Sequence, residues 1–460
     1  MTLRRYVTGA IDTRSSWLRP SWAFGLLAVL MACLWLAGGA SRIEGYGQAI
    51  VRAATWAVLV VALVLEPRPG RTMLWPALCL VGGVLLVTAW QLVPLPPGIW
   101  SALPGRQPFL EAAGATVEVQ PWRPLALVPG AAINAVASLV VPMTVLLLAL
   151  AATAGERARL LDILLGLIAL SALIAAFQFT QPGPFGSVSG LFTNRNHFAV
   201  FVAIGCLLTP VWVYSGSGRN RWRPLAGSGL IMFFSLIVLG TGSRSGALLA
   251  PVAIVIGLVT VRDRLQAQLA GRSRLAVALI LGGGICAVGA LVLASVWAGR
   301  AVSIDRALSL TAESEIRGRA LPTVMMMVGE YFSAGSGLGG FATIFKVHEP
   351  DALLKPTYFN QAHNDLLGVV LDAGLVGGIM LVVAFAWWAW RSLVAWRSKP
   401  REEVRLARAG SAMLLLLGVA SLVDYPVRTP IMMASAVIGA MWLGGARRCD
   451  DRAALPRHTQ

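Results

Sequence analysis

The chain has 460 residues, of which 57% are hydrophobic and only 13% charged, and its formal net charge is +17. A soluble domain is about a quarter charged, so this composition excludes one. Apolar runs of roughly 20 residues recur from end to end and give an all-α polytopic membrane protein. The excess arginine does not read as a nucleic-acid surface, because it sits in the links between apolar runs, where it sets topology and meets lipid headgroups.

The chain opens with a basic tail, residues 1–21, that contains Arg4, Arg5, Arg14 and Arg19. The first apolar run, Trp22 to Ala40, is too long for the core of a cleaved signal peptide and reads as an uncleaved first helix. Twelve spans fit the pattern: 22–40, 48–65, 73–93, 131–153, 159–178, 196–214, 224–241, 244–261, 275–297, 366–390, 406–423 and 430–446. Only a very short link separates the seventh from the eighth. With the N-terminal tail cytoplasmic, every short link on that side is basic, including Arg219, Arg221 and Arg223 and the run from Arg391 to Arg408. The positive-inside rule is then met throughout, both termini are cytoplasmic, and the loops at 94–130 and 298–365 lie outside. The tail 447–460 closes the chain. The five cysteines (Cys33, Cys79, Cys206, Cys286 and Cys449) form neither a disulfide framework nor a zinc spacing.

The first outer loop begins Trp90-Gln91-Leu92-Val93-Pro94-Leu95-Pro96-Pro97-Gly98-Ile99-Trp100. Its prolines forbid continued helix and its tryptophans suit a membrane interface, so it reads as a rigid lid with aromatic anchors. In the second, residues 313–332 around Arg317 and Arg319 are expected as an amphipathic helix along the interface. Gly335-Ser336-Gly337-Leu338-Gly339-Gly340 follows as a turn. It resembles a phosphate-cradling loop but lacks the flanking strand and the Lys-Ser/Thr ending, so a plain glycine connection is the favoured reading.

The outer face gathers the unusual polar residues. Asn194-Arg195-Asn196-His197 opens the sixth span, and Gly242-Ser243-Arg244-Ser245-Gly246 links the seventh and eighth. Arg317 and Arg319 lie in the large loop. His363-Asn364-Asp365 opens the tenth span, and Asp424-Tyr425-Pro426-Val427-Arg428 links the last two. Each alone has a structural reading: Arg195 and Arg244 as snorkelling side chains, Asp424 with Arg428 as an ion pair across a turn, a histidine as a cap. Several arginines against the positive-inside trend, with two histidines at the same level, point to an anion site. Guanidinium forks suit phosphate oxygens, and helix N-termini there add dipoles of the right sign. A lipid-linked diphosphate fits, because it is held at the membrane surface and carries its own driving force. Glycosyl transfer from it needs a base for the acceptor hydroxyl and cations on the leaving group. His363 can be that base. Glu313-Ser314-Glu315 is the nearest candidate metal set and is not convincing, so no metal is expected. Deeper in the tenth span, Gly374, Gly377 and Gly378 fall where small residues let another helix pack closely.

These residues resemble the O-antigen ligase and O-antigen polymerase superfamily. His363-Asn364, nine residues, then Gly374-Leu375-Val376-Gly377 is similar to the most specific family pattern. Gly190-Leu191-Phe192-Thr193-Asn194-Arg195-Asn196-His197, Thr241-Gly242-Ser243-Arg244-Ser245-Gly246 and Arg317 ahead of the glycine turn accompany it. The resemblance implies a GT-C-like fold of about 12 helices, with residues 22–446 as the transmembrane domain, in the bacterial inner membrane with its site facing the periplasm. It implies an undecaprenyl-diphosphate-linked glycan as donor, a glycan or lipid A-core acceptor, and no cofactor. Arg244, Arg317 and Arg195 are implied as diphosphate contacts and His363 as base, with Asn364, Asn194, His197 and Arg428 in support. Asp365 and Asp372 depart from the pattern. Repeat-unit polymerase, protein O-oligosaccharyltransferase, a transporter or flippase, and a scaffold without activity are the rival readings.

Overall fold

The computed structural model describes residues 20–41, 45–65, 71–115, 119–179, 188–216, 222–273, 275, 312–354 and 359–445. The ninth span expected at 275–297, nearly all of the N-terminal tail, the tail 447–460 and the first part of the loop at 298–365 lie outside the described residues, as do the side chains of Glu313, Ser314 and Glu315.

The described chain is almost wholly helical. In order it forms α1 (Trp22–Ala37), α2 (Tyr46–Leu65), α3 (Arg71–Leu92), α4 (Pro97–Ser101), α5 (Gln107–Ala115), α6 (Pro129–Ser138), α7 (Val140–Ala151), α8 (Ala154–Gln178), α9 (Arg195–Val213), α10 (Arg223–Gly240), α11 (Arg244–Thr260) and α12 (Arg262–Leu269). It continues with α13 (Ala312–Tyr331), α14 (Phe341–His348), α15 (Asp365–Arg397), α16 (Glu402–Ala420) and α17 (Pro430–Gly445). Among the described residues six helices are long and apolar enough to cross a membrane, or seven if α11 and α12, bent by 69°, make one span. The other expected spans among the described residues fall on helices too, but α1 and α17 have only 16 residues each, short of the roughly 20 that cross a bilayer without help.

The bundle is built around α9, which is buried along nearly its whole length. A helix apolar on all sides belongs in the centre of such a bundle. Gly205 lets Ile168 of α8 and Phe234 of α10 approach from two directions. Helix α11 runs parallel to α9: Gly246 packs on Ala199 near their starts, and Gly257 on Leu207 and Pro210 further along. The link between α10 and α11 is the tight turn that the sequence requires, with Gly242 at φ +70°.

The lid at the proline-rich loop is a small structure of its own. Strands β1 (Pro94–Leu95) and β2 (Arg123–Pro124) pair antiparallel, Leu95 opposite Arg123. Trp100, expected as an interfacial anchor, is instead buried, its indole donating to the Pro124 carbonyl at 3.0 Å, with the Arg106 and Arg123 guanidinium groups over its ring. Burial is favourable for Trp100 because two cations and a carbonyl meet its face and its N–H at once.

Helix α15 is not the straight span of the sequence reading. Gly374 has φ +56° and ψ −140°, a glycine-only region, and breaks it into two pieces. The glycine turn after α13 fills the break. Ser336 and Gly337 donate their N–H groups to the Leu371 and Asp372 carbonyls at 2.9 and 3.0 Å, and Gly339 donates to the Asp372 carboxylate at 3.3 Å. Gln91, at the end of α3, donates to the Asp372 carbonyl at 2.9 Å and accepts from Leu338 at 3.0 Å. Carbonyls released by a break inside an apolar bundle must find new donors, and this loop supplies them. The turn is therefore a glycine connection with a structural task, its amides committed to protein acceptors.

Gly374 then serves the break rather than a helix-to-helix seam: its Cα faces the backbone of Ser333 to Gly335. Gly377 faces Val369 and Ala373 of the same helix, folded back by the kink, and an added Cβ on Gly378 would meet nothing within 4 Å. The expected packing of another helix on these glycines is replaced by packing of a loop, because the sequence pattern could not reveal the change of direction.

Candidate active site

At one end of the bundle the starts of α9, α11 and α15 come together with the end of α16. Each start is fixed by a side-chain cap. Asn194 accepts the Asn196 N–H at 2.8 Å, Ser243 the Gly246 N–H at 3.1 Å, and Asn364 the Leu367 N–H at 3.0 Å. Such caps replace hydrogen bonds that the first turn lacks. They also leave positive dipole ends facing the same region.

Asp424, in the turn after α16, is the centre of this region and is buried. Its Oδ2 accepts from Asn196 Nδ2 at 2.8 Å and from Asn194 Nδ2 at 3.4 Å, and lies 3.6 Å from Arg317 Nη1. Its Oδ1 is 3.3 Å from His363 Nδ1 and 3.5 Å from His197 Nε2. Burial alone would raise the carboxyl's pKa. The hydrogen bonds of His197 and His363 and the charge of Arg317 outweigh it and hold Asp424 well below the usual carboxylate range.

His363 has φ +50°, left-handed for a residue with a side chain. Its ring packs against Phe359 and Tyr425, at centroid distances of 5.9 and 5.0 Å. Tyr425 also meets His197 edge-on at 4.9 Å and donates its hydroxyl to Asn360 at 3.2 Å. Strain of this kind persists where the surroundings over-determine a residue. With Nδ1 facing a carboxylate, the proton belongs on Nδ1, which leaves the Nε2 lone pair for another group. Burial lowers the imidazole's pKa, Asp424 raises it, and Arg317 and His197 lower it again, so the ring sits below its ordinary value and is neutral at pH 7.

A second charge cluster adjoins it. Arg428 Nε donates to Asp365 Oδ1 at 2.9 Å, and its Nη2 is 3.9 Å from Asp372 Oδ2. Ser421 donates to the other Asp365 oxygen at 3.1 Å, and the guanidinium packs on Gly368. Burial works against the charge of Arg428, but Asp365 and Asp372 more than offset it and raise its pKa. The ion pair expected across the turn from Asp424 to Arg428 is thus split: each turns to partners on other elements. Asp365 and Asp372, unexplained in the sequence, hold Arg428 against the upper piece of α15.

The expected site residues sort as follows. His363, Arg317, Asn194 and His197 meet at Asp424, and Asn364 caps α15 while donating to the Leu422 carbonyl at 3.0 Å. Arg195 lies between two asparagines bonded to Asp424, and Arg244 follows the cap of α11; both are half-buried at this end. Sequence reasoning did not recognise Asp424 as the hub. Its signal was present, a carboxylate in a short turn at the level of His363, but the near Arg428 offered a simpler partner.

Residues 229–382 match the family model described as O-antigen ligase. The match runs from α10 to past the break in α15, so it contains Arg244, Arg317 and His363 but neither Asn194 nor Asp424. No curated protein matches the chain.

Proposed function

We propose, from the match of residues 229–382 to the O-antigen ligase family model, that the chain transfers a glycan from an undecaprenyl-diphosphate-linked donor to an acceptor hydroxyl at the periplasmic face. The observation that carries this reading is the His363 imidazole held through Nδ1 on the buried Asp424, beside Arg317 and the capped helix starts. His363 Nε2 takes the acceptor's proton as the acceptor oxygen bonds to the anomeric carbon. The bond from that carbon to the diphosphate breaks, and the lipid diphosphate leaves with the electron pair. Arg244, Arg317 and Arg195 are the proposed contacts for its charge, which is greatest in the transition state. Asp424 fixes the tautomer and balances the imidazolium as it forms, the task of the carboxylate in a Ser-His-Asp triad. A single displacement of this kind inverts the anomeric centre. The reading assigns the protein to the inner membrane as a multi-pass enzyme that needs no metal or cofactor.

Purified protein given a lipid-diphosphate glycan and acceptor releases lipid diphosphate, and His363→Ala and Arg244→Ala each abolish release while eluting as folded protein. Normal turnover in both variants overturns the assignment. Ligation to lipid A-core is separated from repeat-unit polymerisation by the glycan left in a deletion strain: long lipid-linked chains for a ligase, single repeat units for a polymerase.

One observation favours a transporter instead, the broken α15 with the buried Asp372, since discontinuous helices frame transporter sites. Here the break is filled by the chain's own glycine turn and Arg428, which leaves less reason for a solute there. Vesicles that move labelled lipid or solute without forming a glycosidic bond decide for the transporter.

A further inference from the structure

The opposite end of the bundle holds a cavity that glycan transfer does not use. It has a volume of about 390 Å³ and lies between α11, α15 and α16, lined by Ile256, Val259, Trp388, Trp396, Ala412 and Leu415 together with a pair of serines. The polar groups of its wall bond one another. The Trp388 indole donates to the Ser411 carbonyl at 3.1 Å, the Trp396 indole to the Ser411 hydroxyl at 3.3 Å, and that hydroxyl to Ser392 at 2.8 Å. A wall whose polar groups are already matched favours hydrocarbon over a polar ligand, which would gain no partner for its lost water. Val259 and Leu415 are 39% and 37% exposed, so the cavity opens on the flank of the bundle rather than into its interior.

Its lower rim is basic. The Arg408 guanidinium lies over the Trp396 ring at 5.5 Å, with Arg262, Asp263 and Arg405 as its electrostatic neighbours. Arg405 binds Asp263 at 2.8 Å, and Arg408 donates to the Ala395, Trp396 and Ser398 carbonyls, so these two are committed to the protein. Arg262, an electrostatic neighbour of Arg408, is exposed there, and Arg397, which follows the cavity residue Trp396 in the chain, is exposed as well. The 69° bend after α11 starts α12 at Arg262, an eight-residue helix with no buried residue, as expected of a segment at a membrane surface. An apolar slot between membrane helices, closed below by cations in excess of the one aspartate, matches one molecular shape: a hydrocarbon chain with an anionic head.

We propose that this cavity is a binding site for an anionic glycerophospholipid, one acyl chain lying along Trp388 and Trp396 and the phosphate at Arg262 and Arg397. The occupant steadies the lower piece of α15 against α11 and α16. That piece is separated from the His363 rim by the break at Gly374, so the lipid acts on stability and leaves the chemistry alone.

The test is lipid retention by purified protein, measured by native mass spectrometry after exchange into detergent containing equal phosphatidylglycerol and phosphatidylcholine. Each arginine near an anionic lipid contributes about a factor of five, so the unsubstituted protein retains phosphatidylglycerol by roughly twenty-five-fold over phosphatidylcholine, and its melting temperature rises by about 3 °C at saturation. Val259→Trp, which fills the slot from its exposed side, loses retention of both lipids. Arg262→Gln with Arg397→Gln keeps retention and loses the preference. Equal retention of the two lipids by the unsubstituted protein overturns the proposal. So does undiminished retention in Val259→Trp, or displacement of phosphatidylglycerol by undecaprenyl phosphate, which would make the slot a site for the donor's tail. None of these outcomes depends on whether the protein transfers glycan.

Discussion

The two ends of the bundle are charged in the same language with opposite signs. At the His363 end, helix starts face a buried carboxylate that is shared by two histidines and an arginine. At the other end, arginines close the ends of helices. Arg391 donates to the Leu443 and Gly444 carbonyls at 3.2 and 2.7 Å, Arg408 to the last turn of α15, and Arg223 to the Trp212 carbonyl at 3.2 Å and the Ser215 carbonyl at 2.9 Å beside the end of α9. Cations at helix C-termini satisfy free carbonyls and meet the negative end of the dipole. The helix-end carbonyls named at the Arg408 end are therefore met by the chain's own cations. The His363 end keeps a strained histidine, an Nε2 directed away from the carboxylate and positive dipole ends, the features on which the proposed anion site rests.

The comparison is broken or upheld by substitutions at each end. Asp424→Asn, nearly isosteric, removes the carboxylate that sets the His363 tautomer and lowers transfer by roughly 10²–10⁴-fold, measured as lipid diphosphate release; a variant within twofold of the parent removes Asp424 from the site. Gly374→Ala forces a side chain into a glycine-only conformation against the Ser333 to Gly335 backbone. It costs about 1–3 kcal/mol, seen as a lower melting temperature, and an unchanged melt would mean that the break relaxes. Glu156→Ala tests the Arg408 end. This residue accepts from Ser21 N at 2.7 Å and Thr153 N at 2.8 Å in a capping box, so its loss costs about 1 kcal/mol of stability and leaves transfer per folded molecule unchanged.

The smallest effect is on pH dependence. If His363 is the base, as proposed, transfer needs its neutral form; its pKa is lowered, so activity persists below the ordinary histidine value and is lost as pH falls through the folded value. Arg317→Gln removes a charge that depresses the imidazole and moves this acid limb to higher pH. Asp424→Asn removes one that supports the imidazolium and moves the residual limb to lower pH. Shifts of the same sign in both variants would contradict the geometry.

Composition and period settled the class, because a bilayer admits few ways to bury so apolar a chain. The arginine bias pointed to which residues share an end, and the polar stretches before apolar runs marked the starts of α9, α11 and α15, although which residue caps each came only from the fold. The local pattern could not reveal that Asp424 serves His363 instead of Arg428, since the choice depends on the Asn194 and Arg317 side chains brought from 230 and about 110 residues away. Nor could it reveal the break at Gly374: a glycine in an apolar run fits a straight helix equally well until the loop from Ser333 to Gly339 arrives to take up the free carbonyls. Trp100 and Arg408 were likewise assigned to the interface and to topology, as their types suggest, and only the fold gave them carbonyls and rings to bond. Where polar groups gather follows from residue order alone, through the cost of placing them in lipid. Which pairs form depends on the fold, because each charge is shared among elements that meet only when the bundle closes.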